Sequence, residues 1–408
     1  MRAYLRTFGC RANQYDTEAA RGMIEAAGGV IVGSAAEADV AVFNSCAVTT
    51  AAEADLRQEI RRAARDNSRV RSVVIGCASA RDDGVIAALP GVSDVIGGAD
   101  LGELARALGI DPLLAASRPA TQTGARALLR IQDGCDEHCT FCATTLARGA
   151  HRSRPAEEIV REAAALAAQH PEIVITGIHI GSYGTDVGSS LGGLVERLVQ
   201  DVPGVRFRLT SVEATEVDAR LGDLLTSEPL RVVPHLHAPL QSGSDRVLKR
   251  MGRHWYTAAS YARAAEDFAS RSEVFALGAD IITGFPGETD ADHAATVALV
   301  EALPFTYLHV FPYSARPGTA AVKMDDDVPA AVSRERAAEL RAIGEEKAAA
   351  HRTRRAGGLA DVVVVGEGRK REGMTEDYLS VRLADETLPR RSRFSGRLSL
   401  CEGRLQAG

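Results

Sequence analysis

The chain has 408 residues, 45% of them apolar, and a formal net charge of −6. This length suffices for two or three domains, and the acidic balance argues against a protein that coats nucleic acid through excess positive charge. Seven cysteines in a chain too large to need disulfide bridges predict metal ligands or buried thiols in a reducing compartment. The sequence contains no signal-like segment and no apolar run of membrane length, so we expect a cytoplasmic protein with no membrane partner.

The first hundred residues alternate short β-rich runs with helical stretches, which predicts a parallel α/β sheet in an N-terminal domain over residues 1–110. Cys10, Cys46 and Cys77 each follow the end of a predicted strand. Ligands of open α/β sheets lie beyond the carboxyl ends of the strands, so we expect these three thiols to converge. The predicted strands are 3–8, 40–44 and 70–76, and the predicted helices are a segment from about Tyr15, 50–65 and 85–89.

A turn-rich stretch at 111–124 predicts a linker, and a second α/β series follows it. Six further strands with helices between them indicate a partial (β/α)6 barrel over 125–356, whose chemistry lies at the carboxyl ends of the strands. A charged helix at 333–355 closes it, and short strands at 361–365 and 378–383 indicate a small all-β module over 357–408. The predicted barrel strands are 127–132, 172–176, 206–211, 235–240, 278–283 and 307–311.

The strongest motif is Cys135-Asp-Glu-His-Cys139-Thr-Phe-Cys142, directly after the first barrel strand. Three thiolates within eight residues suit a soft metal centre such as zinc, copper(I) or an iron–sulfur cluster. A structural zinc requires a fourth ligand, whereas an iron–sulfur cubane held by three cysteines leaves one iron open to a small molecule. A zinc knuckle that uses His138 is the alternative.

This Cys-x3-Cys-x2-Cys spacing after the first strand of a partial barrel resembles the radical S-adenosylmethionine (SAM) superfamily. The resemblance implies that Cys135, Cys139 and Cys142 are the catalytic cysteines. They would hold a 4Fe-4S cluster whose open iron chelates SAM, the source of the radical and of the methyl group. Reductive cleavage of SAM requires a one-electron reductant, and the organic chemistry belongs to the cofactor.

The segments TFGCRANQYDTE, NSCAVTTAAEADLRQEIRR and VVIGCASA narrow the resemblance to the methylthiotransferases. In that family three N-terminal cysteines hold an auxiliary 4Fe-4S cluster. The resemblance therefore implies that Cys10, Cys46 and Cys77 hold a second 4Fe-4S cluster. An open iron there would hold the sulfur before transfer, and a sulfur donor of unknown identity would be needed. Buried thiols are the alternative.

Further blocks along the barrel resemble the same family: RGAHRSRP, TGIHIGSYG, RLTSVEATEV, HLHAPLQSGSDRVLKRM, DIITGFPGET and HVFPYSARPGTAA. The segment TGIHIG differs from the Gly-Gly-Glu motif found elsewhere in the superfamily. For each residue that the resemblance implies to contact SAM, a structural turn is therefore the alternative. The contacts that the resemblance implies are Thr176 and Gly177 with the methionyl part of SAM, Ser211 and Glu213 with its ribose or amino group, and Gly284 and Tyr313 with its adenine.

Several other polar residues of the barrel are interpreted more conservatively. Four histidines lie on or beside the predicted strands, and we interpret them as satisfied core residues, with a catalytic role as the alternative: His179, His235, His237 and His309. The basic loop after the cysteine motif either meets phosphate or the SAM carboxylate, or is solvated; its arginines are Arg148, Arg152 and Arg154. Cys401 is interpreted as a bystander thiol.

Methylthiotransferases act on isopentenyladenosine in tRNA, on threonylcarbamoyladenosine in tRNA, or on an aspartate of a ribosomal protein. GCRANQYDTE, NSCAVT and TGIHIGSYG most resemble the threonylcarbamoyladenosine enzymes. The resemblance implies a transferase that adds a methylthio group to C2 of N6-threonylcarbamoyladenosine next to the anticodon. The alternatives are the two other substrates, a radical SAM enzyme with another use for its auxiliary cluster, and a non-catalytic zinc-binding RNA adaptor.

The tail resembles the TRAM RNA-binding module through GMTEDYLSVRL. From His351 onward it carries 12 Lys and Arg against 8 Asp and Glu, so it is basic while the rest of the chain is acidic. We therefore expect it to contact tRNA phosphates, with a solvated surface as the alternative. The candidate basic residues lie on turns: Arg369, Lys370, Arg371, Arg390, Arg391 and Arg393.

Overall fold

The structure is a computed structural model that describes residues 1–47 and 50–408, with the side chains of residues 50, 51 and 369 outside the description. Val48 and Thr49 of the NSCAVT motif therefore lie outside the described residues, as does the side chain of Arg369. Within the described ranges, no helix combines the length and the apolar character needed to cross a membrane.

The N-terminal part is a five-stranded parallel sheet with the order β2-β1-β3-β4-β5. Its central strand is buried at every position, because one side packs against the helix after it and the other against the first and third helices. The strands are β1 (Arg2–Thr7), β2 (Val30–Ile31), β3 (Val40–Ser45), β4 (Arg71–Gly76) and β5 (Val92–Val95), and the helices are α1 (Arg11–Ala26), α2 (Thr50–Asp66) and α3 (Leu101–Leu108).

Two details of this part differ from the sequence prediction. Helix α1 begins at Arg11, directly after Cys10, and not near Tyr15. The predicted helix at 85–89 is wrong: these residues form turns, because the Asp82 carboxylate accepts hydrogen bonds from the backbone N–H groups of Ile86 and Ala87 at 2.8 and 3.2 Å.

The stretch after α3 is packed against its neighbours, although its composition predicts a linker. Gln122 accepts a hydrogen bond from Leu128 N–H at 2.7 Å and donates to the Leu128 carbonyl at 2.8 Å. Thr123 N–H donates to Glu18 of α1 at 2.9 Å. These bonds tie the connection to both α1 and the first barrel strand.

Six parallel strands form the central part, in two three-stranded sheets ordered β10-β9-β6 and β11-β12-β13. Bridges Phe207↔Val232 and Ser211↔His237 join the sheets into the predicted partial barrel. The elements are β6 (Ala127–Arg130), β7 (Gln132–Asp133), α4 (Thr144–Arg148), β8 (Arg152–Ser153), α5 (Ala156–Ala167), β9 (Glu172–Thr176), α6 (Leu191–Asp201), β10 (Arg206–Leu209), α7 (Ala219–Ser227), β11 (His235–His237), α8 (Asp245–Arg250), α9 (Ala258–Ser270), β12 (Ala276–Thr283), α10 (Asp290–Ala302), β13 (Tyr307–Pro312) and α11 (Ala330–Arg355).

The tail is a closed five-stranded β-barrel with the order β14-β15-β16-β18-β17, which confirms the predicted all-β module and places its last strands. Alternating apolar residues such as Val362, Val364 and Leu398 fill its core. The strands are β14 (Leu359–Val365), β15 (Glu372–Met374), β16 (Ser380–Leu383), β17 (Arg393–Cys401) and β18 (Arg404–Ala407).

This tail module closes the end of the central barrel at which the strands begin. Tyr378, in the turn between β15 and β16, lies 4.7 Å from the His235 ring and 5.4 Å from the Tyr307 ring, measured between centroids. His235 and Tyr307 are the first residues of β11 and β13. The module is therefore docked into the barrel and is not a loosely tethered domain.

A buried ion network holds this junction. Glu172, at the start of β9, accepts hydrogen bonds from Arg206 Nε at 2.6 Å and Arg208 Nε at 2.8 Å, and all three side chains are at most 1% exposed. Arg206 also pairs with Asp361 of β14 at 2.9 Å, and Arg208 donates to the Thr375 carbonyl at 2.8 Å. Burial alone would raise the pKa of Glu172, but Arg208 and Arg206 hold it well below its usual range.

The structure changes the interpretation of the basic turns. Arg390 and Arg391 donate to backbone carbonyls of Thr123 and Gln122, and Arg393 pairs with Asp361 at 2.8 Å. Arg371 donates to the Glu386 carbonyl at 2.8 Å. These four arginines bind the protein itself, and of the described side chains in the predicted set only Lys370 is exposed. Removing the module would also take the Asp361 and Thr375 contacts from the buried Arg206 and Arg208, so truncation is not a clean test of tRNA docking.

Substitution Glu172→Gln tests the junction network. The change leaves the buried Arg208 without a counter-charge and Arg206 with Asp361 alone, so we expect the free energy of unfolding to fall by about 3–5 kcal/mol. Urea unfolding followed by circular dichroism measures it. Glu157→Gln, which removes an exposed partner of Arg197, is the matched control and should change stability little. Equal effects of the two changes would contradict the assignment.

Candidate functional site

The N-terminal strand ends bring Cys10, Cys46 and Cys77 together, as their positions predict. Asn13 lies between them: its Oδ1 accepts from the Cys10 thiol at 3.7 Å and from the Cys77 thiol at 3.9 Å. Its Nδ2 donates to the Ser45 carbonyl at 2.7 Å, which holds the loop of Cys46. Gly9 adopts φ +99°, and a Cβ there would lie 2.6 Å from the Cys46 sulfur, so only glycine allows this approach.

Arg148, the last residue of α4, joins this trio to the barrel. Its side chain is 2% exposed; Nε donates to the Cys77 sulfur at 3.4 Å, and Nη2 donates to Asn13 Oδ1 at 2.8 Å and to Asp16 at 2.7 Å. Burial raises the pKa of Cys77 to about 11, and the Arg148 charge opposes that rise. The buried guanidinium thus stabilises a thiolate at this position.

The second trio lies on the loop between β7 and α4, and each of its sulfurs has a nitrogen neighbour. Arg253 Nη1 donates to Cys139 at 3.4 Å, and Thr144 N–H donates to Cys142 at 3.4 Å. His179 Nδ1 lies 3.7 Å from the Cys135 sulfur. Burial raises the pKa of Cys139 to about 11 against the Arg253 charge. The environment of this trio therefore resembles that of the first.

Arg253 is held in place by Glu213, which the sequence analysis assigned to SAM. Both carboxylate oxygens of Glu213 are engaged, one by Arg253 and the other by Trp255 Nε1. Arg253 Nε also donates to the Tyr256 hydroxyl at 2.8 Å. In this arrangement Glu213 positions the arginine that contacts Cys139, rather than presenting a free carboxylate to a ligand.

The histidines divide into two groups. His235 and His237 are core residues, bonded to the Tyr307 hydroxyl at 2.8 and 3.0 Å, and His235 Nδ1 is buried without a partner among the described residues. His179 belongs to the site, because it joins Cys135 to Glu216, whose carboxylate lies 2.7 Å from Nε2. Burial would lower the pKa of His179, but hydrogen bonds with Cys135 and Glu216 raise it to about 10. His179 is thus satisfied by its partners, but it lies in the site and is only partly buried.

The other predicted SAM contacts fall in two groups. Thr176 ends β9 and is buried, Gly177 after it lies against the Gln132 side chain, and Ser211 follows β10 and is exposed. Gly284 N–H donates to Glu288 at 2.7 Å, and a side chain there would collide with Ser333 of α11. The structure thus accounts for Gly284 by packing alone.

Both trios border one cavity of about 480 Å³, lined by Cys77 from the first and Cys142 from the second. Apolar side chains cover much of its wall, including Phe141, Ile282 and Phe311. Tyr313 also lines it, and its buried hydroxyl has no hydrogen-bond partner among the described residues. The shared cavity thus places both cysteine trios beside one space of ligand size.

The donor sets fit iron–sulfur clusters better than single zinc ions. Zinc–sulfur bonds of about 2.3 Å bring the ligand sulfurs of one ion within about 4 Å of each other. Among the described residues, the one group of potential ligands whose donor atoms all lie within 4.8 Å is His237, Asp280 and His309, so the cysteine sulfurs are spaced more widely. His138 is exposed and joins no such group. Wide spacing and three sulfurs suit a multi-iron cluster with one open position.

Comparisons with known proteins agree with this geometry. The model of Uncharacterized protein family UPF0004 matches residues 2–98, and that of the Radical SAM superfamily matches residues 129–300. The chain is 35% identical to Threonylcarbamoyladenosine tRNA methylthiotransferase MtaB of Bacillus subtilis, over 92% of this chain and 88% of that protein. It is 36% identical to the protein of the same name from Thermotoga maritima, over 90% and 85%.

Two further likenesses are informative. The chain is 36% identical to tRNA-2-methylthio-N(6)-dimethylallyladenosine synthase of Sorangium cellulosum, over 90% of this chain and 82% of that protein. Among solved structures, the radical S-adenosylmethionine methyltransferase TsrM of Kitasatospora setae matches with a TM-score of 0.60 at 15% identity, covering 78% of this chain and 76% of that one. This last similarity concerns the fold alone.

Substitution Arg148→Gln tests the charge beside the first trio. Because the guanidinium opposes the burial-induced rise in the pKa of Cys77, its loss should raise that pKa further and move the pH profile of Cys77 alkylation to higher pH. Iodoacetamide labelling of metal-free protein, followed by peptide mass spectrometry, measures the profile. The control Arg152→Gln removes a mostly exposed cation from the same loop. An unchanged profile in Arg148→Gln would contradict the role of Arg148.

Proposed function

The chain belongs to the radical SAM methylthiotransferases, and on that premise we propose that it adds a methylthio group to C2 of N6-threonylcarbamoyladenosine in tRNA. The observation that carries the proposal is the cavity bordered by both cysteine trios, since methylthio transfer requires a sulfur-holding group and a SAM-binding group beside one substrate. tRNA is the substrate, as it is for the relatives.

As a radical SAM protein, the chain uses an iron–sulfur cluster and SAM. We propose that Cys135, Cys139 and Cys142 hold that cluster and that Cys10, Cys46 and Cys77 hold a second one. When bound, the first group supplies the one-electron reduction of SAM and the second supplies an open iron for the sulfur. A one-electron reductant and a sulfur donor are then required partners, and the cytoplasm is the expected compartment.

The protein's own contribution is to stabilise and orient the two trios. The N–H donors of Arg253 and Thr144 stabilise negative charge on Cys139 and Cys142. Arg148 does the same for Cys77 and fixes the N-terminal sheet against the barrel through Asp16. The apolar wall of the cavity keeps water away from a reactive radical.

Four of the six SAM contacts that the family resemblance implies remain part of the proposal. Thr176, Gly177 and Ser211 stay proposed contacts because they lie at or just after the carboxyl ends of β9 and β10. Tyr313 also stays a proposed SAM contact, because it lines the cavity and its hydroxyl has no partner among the described residues. Glu213 is proposed to act indirectly, by holding Arg253, and Gly284 to serve packing.

The proposal also specifies which N6 substituent the target adenosine carries. A dimethylallyladenosine synthase and an MtaB protein are equally similar to this chain, so overall identity does not separate the two substrates. The motifs GCRANQYDTE and TGIHIGSYG favour the threonylcarbamoyl substrate. Dimethylallyladenosine in tRNA is the second candidate.

Cysteine variants test the proposed division of labour. Anaerobic reconstitution should give about eight irons per chain, four for each cluster. Replacing Cys135, Cys139 and Cys142 by Ala should leave about half of that iron and abolish SAM cleavage. Replacing Cys10, Cys46 and Cys77 should also halve the iron, but SAM should still be cleaved to 5′-deoxyadenosine without methylthio transfer.

The control is Cys401→Ala, which removes an exposed thiol distant from both trios in sequence and should retain all iron and activity. One zinc and no iron in anaerobically purified protein would contradict both clusters. Wild-type methylthio transfer by the N-terminal triple variant would show that its cysteines do not hold the sulfur.

A further inference from the structure

Arg316 occupies an unusual position in the wall of the cavity. It follows β13 in the loop Ser314–Arg316–Pro317, lines the space between Cys77 and Cys142, and is 4% exposed. Its Nη2 donates to Ser314 Oγ at 3.1 Å. The residues that the structure describes give Arg316 no carboxylate partner.

The other buried arginines are all paired. Within the described part of the chain, six further arginines are buried, and each forms an ion pair with a carboxylate. An arginine cannot lose its charge at neutral pH, so burying one without a counter-charge is costly. Among the described residues, Arg316 is therefore the one buried arginine without a carboxylate partner, and its charge is left for a ligand. The six paired ones are Arg148, Arg206, Arg208, Arg253, Arg336 and Arg355.

Two further observations place this charge in a substrate site. The Tyr313 hydroxyl, on the same loop and in the same cavity, is buried without a partner among the described residues. The loop is also fixed in position, because Arg81 of the N-terminal part donates to the Pro317 carbonyl. This loop thus presents one cation and one hydroxyl to the space between the trios.

We propose that Arg316 binds an oxyanion of the target nucleotide and thereby holds the adenosine between the two cysteine trios. The inference rests on the proposed function and deepens it. The nucleotide carries two oxyanions, the carboxylate of its threonylcarbamoyl group and its phosphate, and a guanidinium binds either through paired hydrogen bonds.

The test uses reconstituted full-length enzyme and three synthetic anticodon stem-loops, which carry N6-threonylcarbamoyladenosine, its methyl ester, or unmodified adenosine. Fluorescence anisotropy measures the Kd of each. Arg316→Gln should weaken binding of the threonylcarbamoyl stem-loop on the order of tenfold, and Arg316→Lys, which keeps the charge but loses the paired geometry, should weaken it less. The control Lys323→Gln removes an exposed cation from the segment that follows and should change no Kd.

The arms separate the two sources of the oxyanion. If Arg316 binds the carboxylate, Arg316→Gln loses affinity only for the threonylcarbamoyl stem-loop. Wild-type enzyme then binds the methyl ester stem-loop as weakly as Arg316→Gln binds the threonylcarbamoyl one. If the phosphate is bound, Arg316→Gln loses the same factor with all three stem-loops. Should Arg316→Gln not fold, Arg316→Lys carries the same comparison.

If Arg316→Gln leaves the Kd of all three stem-loops unchanged, the inference is overturned. If that variant also loses affinity for SAM in cleavage assays without RNA, Arg316 binds the SAM carboxylate instead. Nucleoside mass spectrometry of the wild-type product keeps the two proposals apart. If the wild type modifies threonylcarbamoyladenosine while Arg316→Gln binds it normally, only the role of Arg316 fails. If the wild type modifies a different adenosine alone, the proposed function fails.

Discussion

The buried guanidinium of Arg148 is the contact on which the two halves of the site depend. It donates to Cys77 and Asn13 from the N-terminal sheet and pairs with Asp16, yet it belongs to the helix that follows the barrel's own cysteine loop. Since a buried charge must be paired and hydrogen-bonded, α1 and α4 have to approach closely. That approach is what places Cys77 and Cys142 on one cavity.

The same constraint acts at the opposite end of the barrel. Glu172 holds Arg206 and Arg208 inside the barrel, and both arginines reach onward to Asp361 and to the turn around Thr375 in the tail module. Tyr378 stacks on the first residues of two strands, so the module closes the barrel. The N-terminal sheet covers one end and the tail module the other, which confines the reactive space to the cavity between the trios.

Much of this architecture is predictable from the sequence, because strand periodicity and strand-end cysteines are local signals. The convergence of Cys10, Cys46 and Cys77 follows from the topology of a parallel sheet. Side-chain pairing between distant segments is not local, so the sequence does not reveal it. Arg390 has the sequence context of a solvated turn, but it donates to the carbonyl of Thr123, and Glu213 is engaged by an arginine 40 residues away. The lack of a carboxylate partner for Arg316 is likewise not predictable from the sequence. It becomes apparent only when the ion pairs of the other buried arginines among the described residues are known.

Mass spectrometry of tRNA nucleosides tests the central claim most directly. A strain that lacks this gene is compared with the same strain complemented by the wild-type chain or by the Cys135→Ala variant. The account predicts 2-methylthio-N6-threonylcarbamoyladenosine with the wild-type chain, and only unmodified N6-threonylcarbamoyladenosine with the variant and in the deletion strain. Methylthio groups found solely on dimethylallyladenosine, or tRNA nucleosides identical in all three strains, would contradict it.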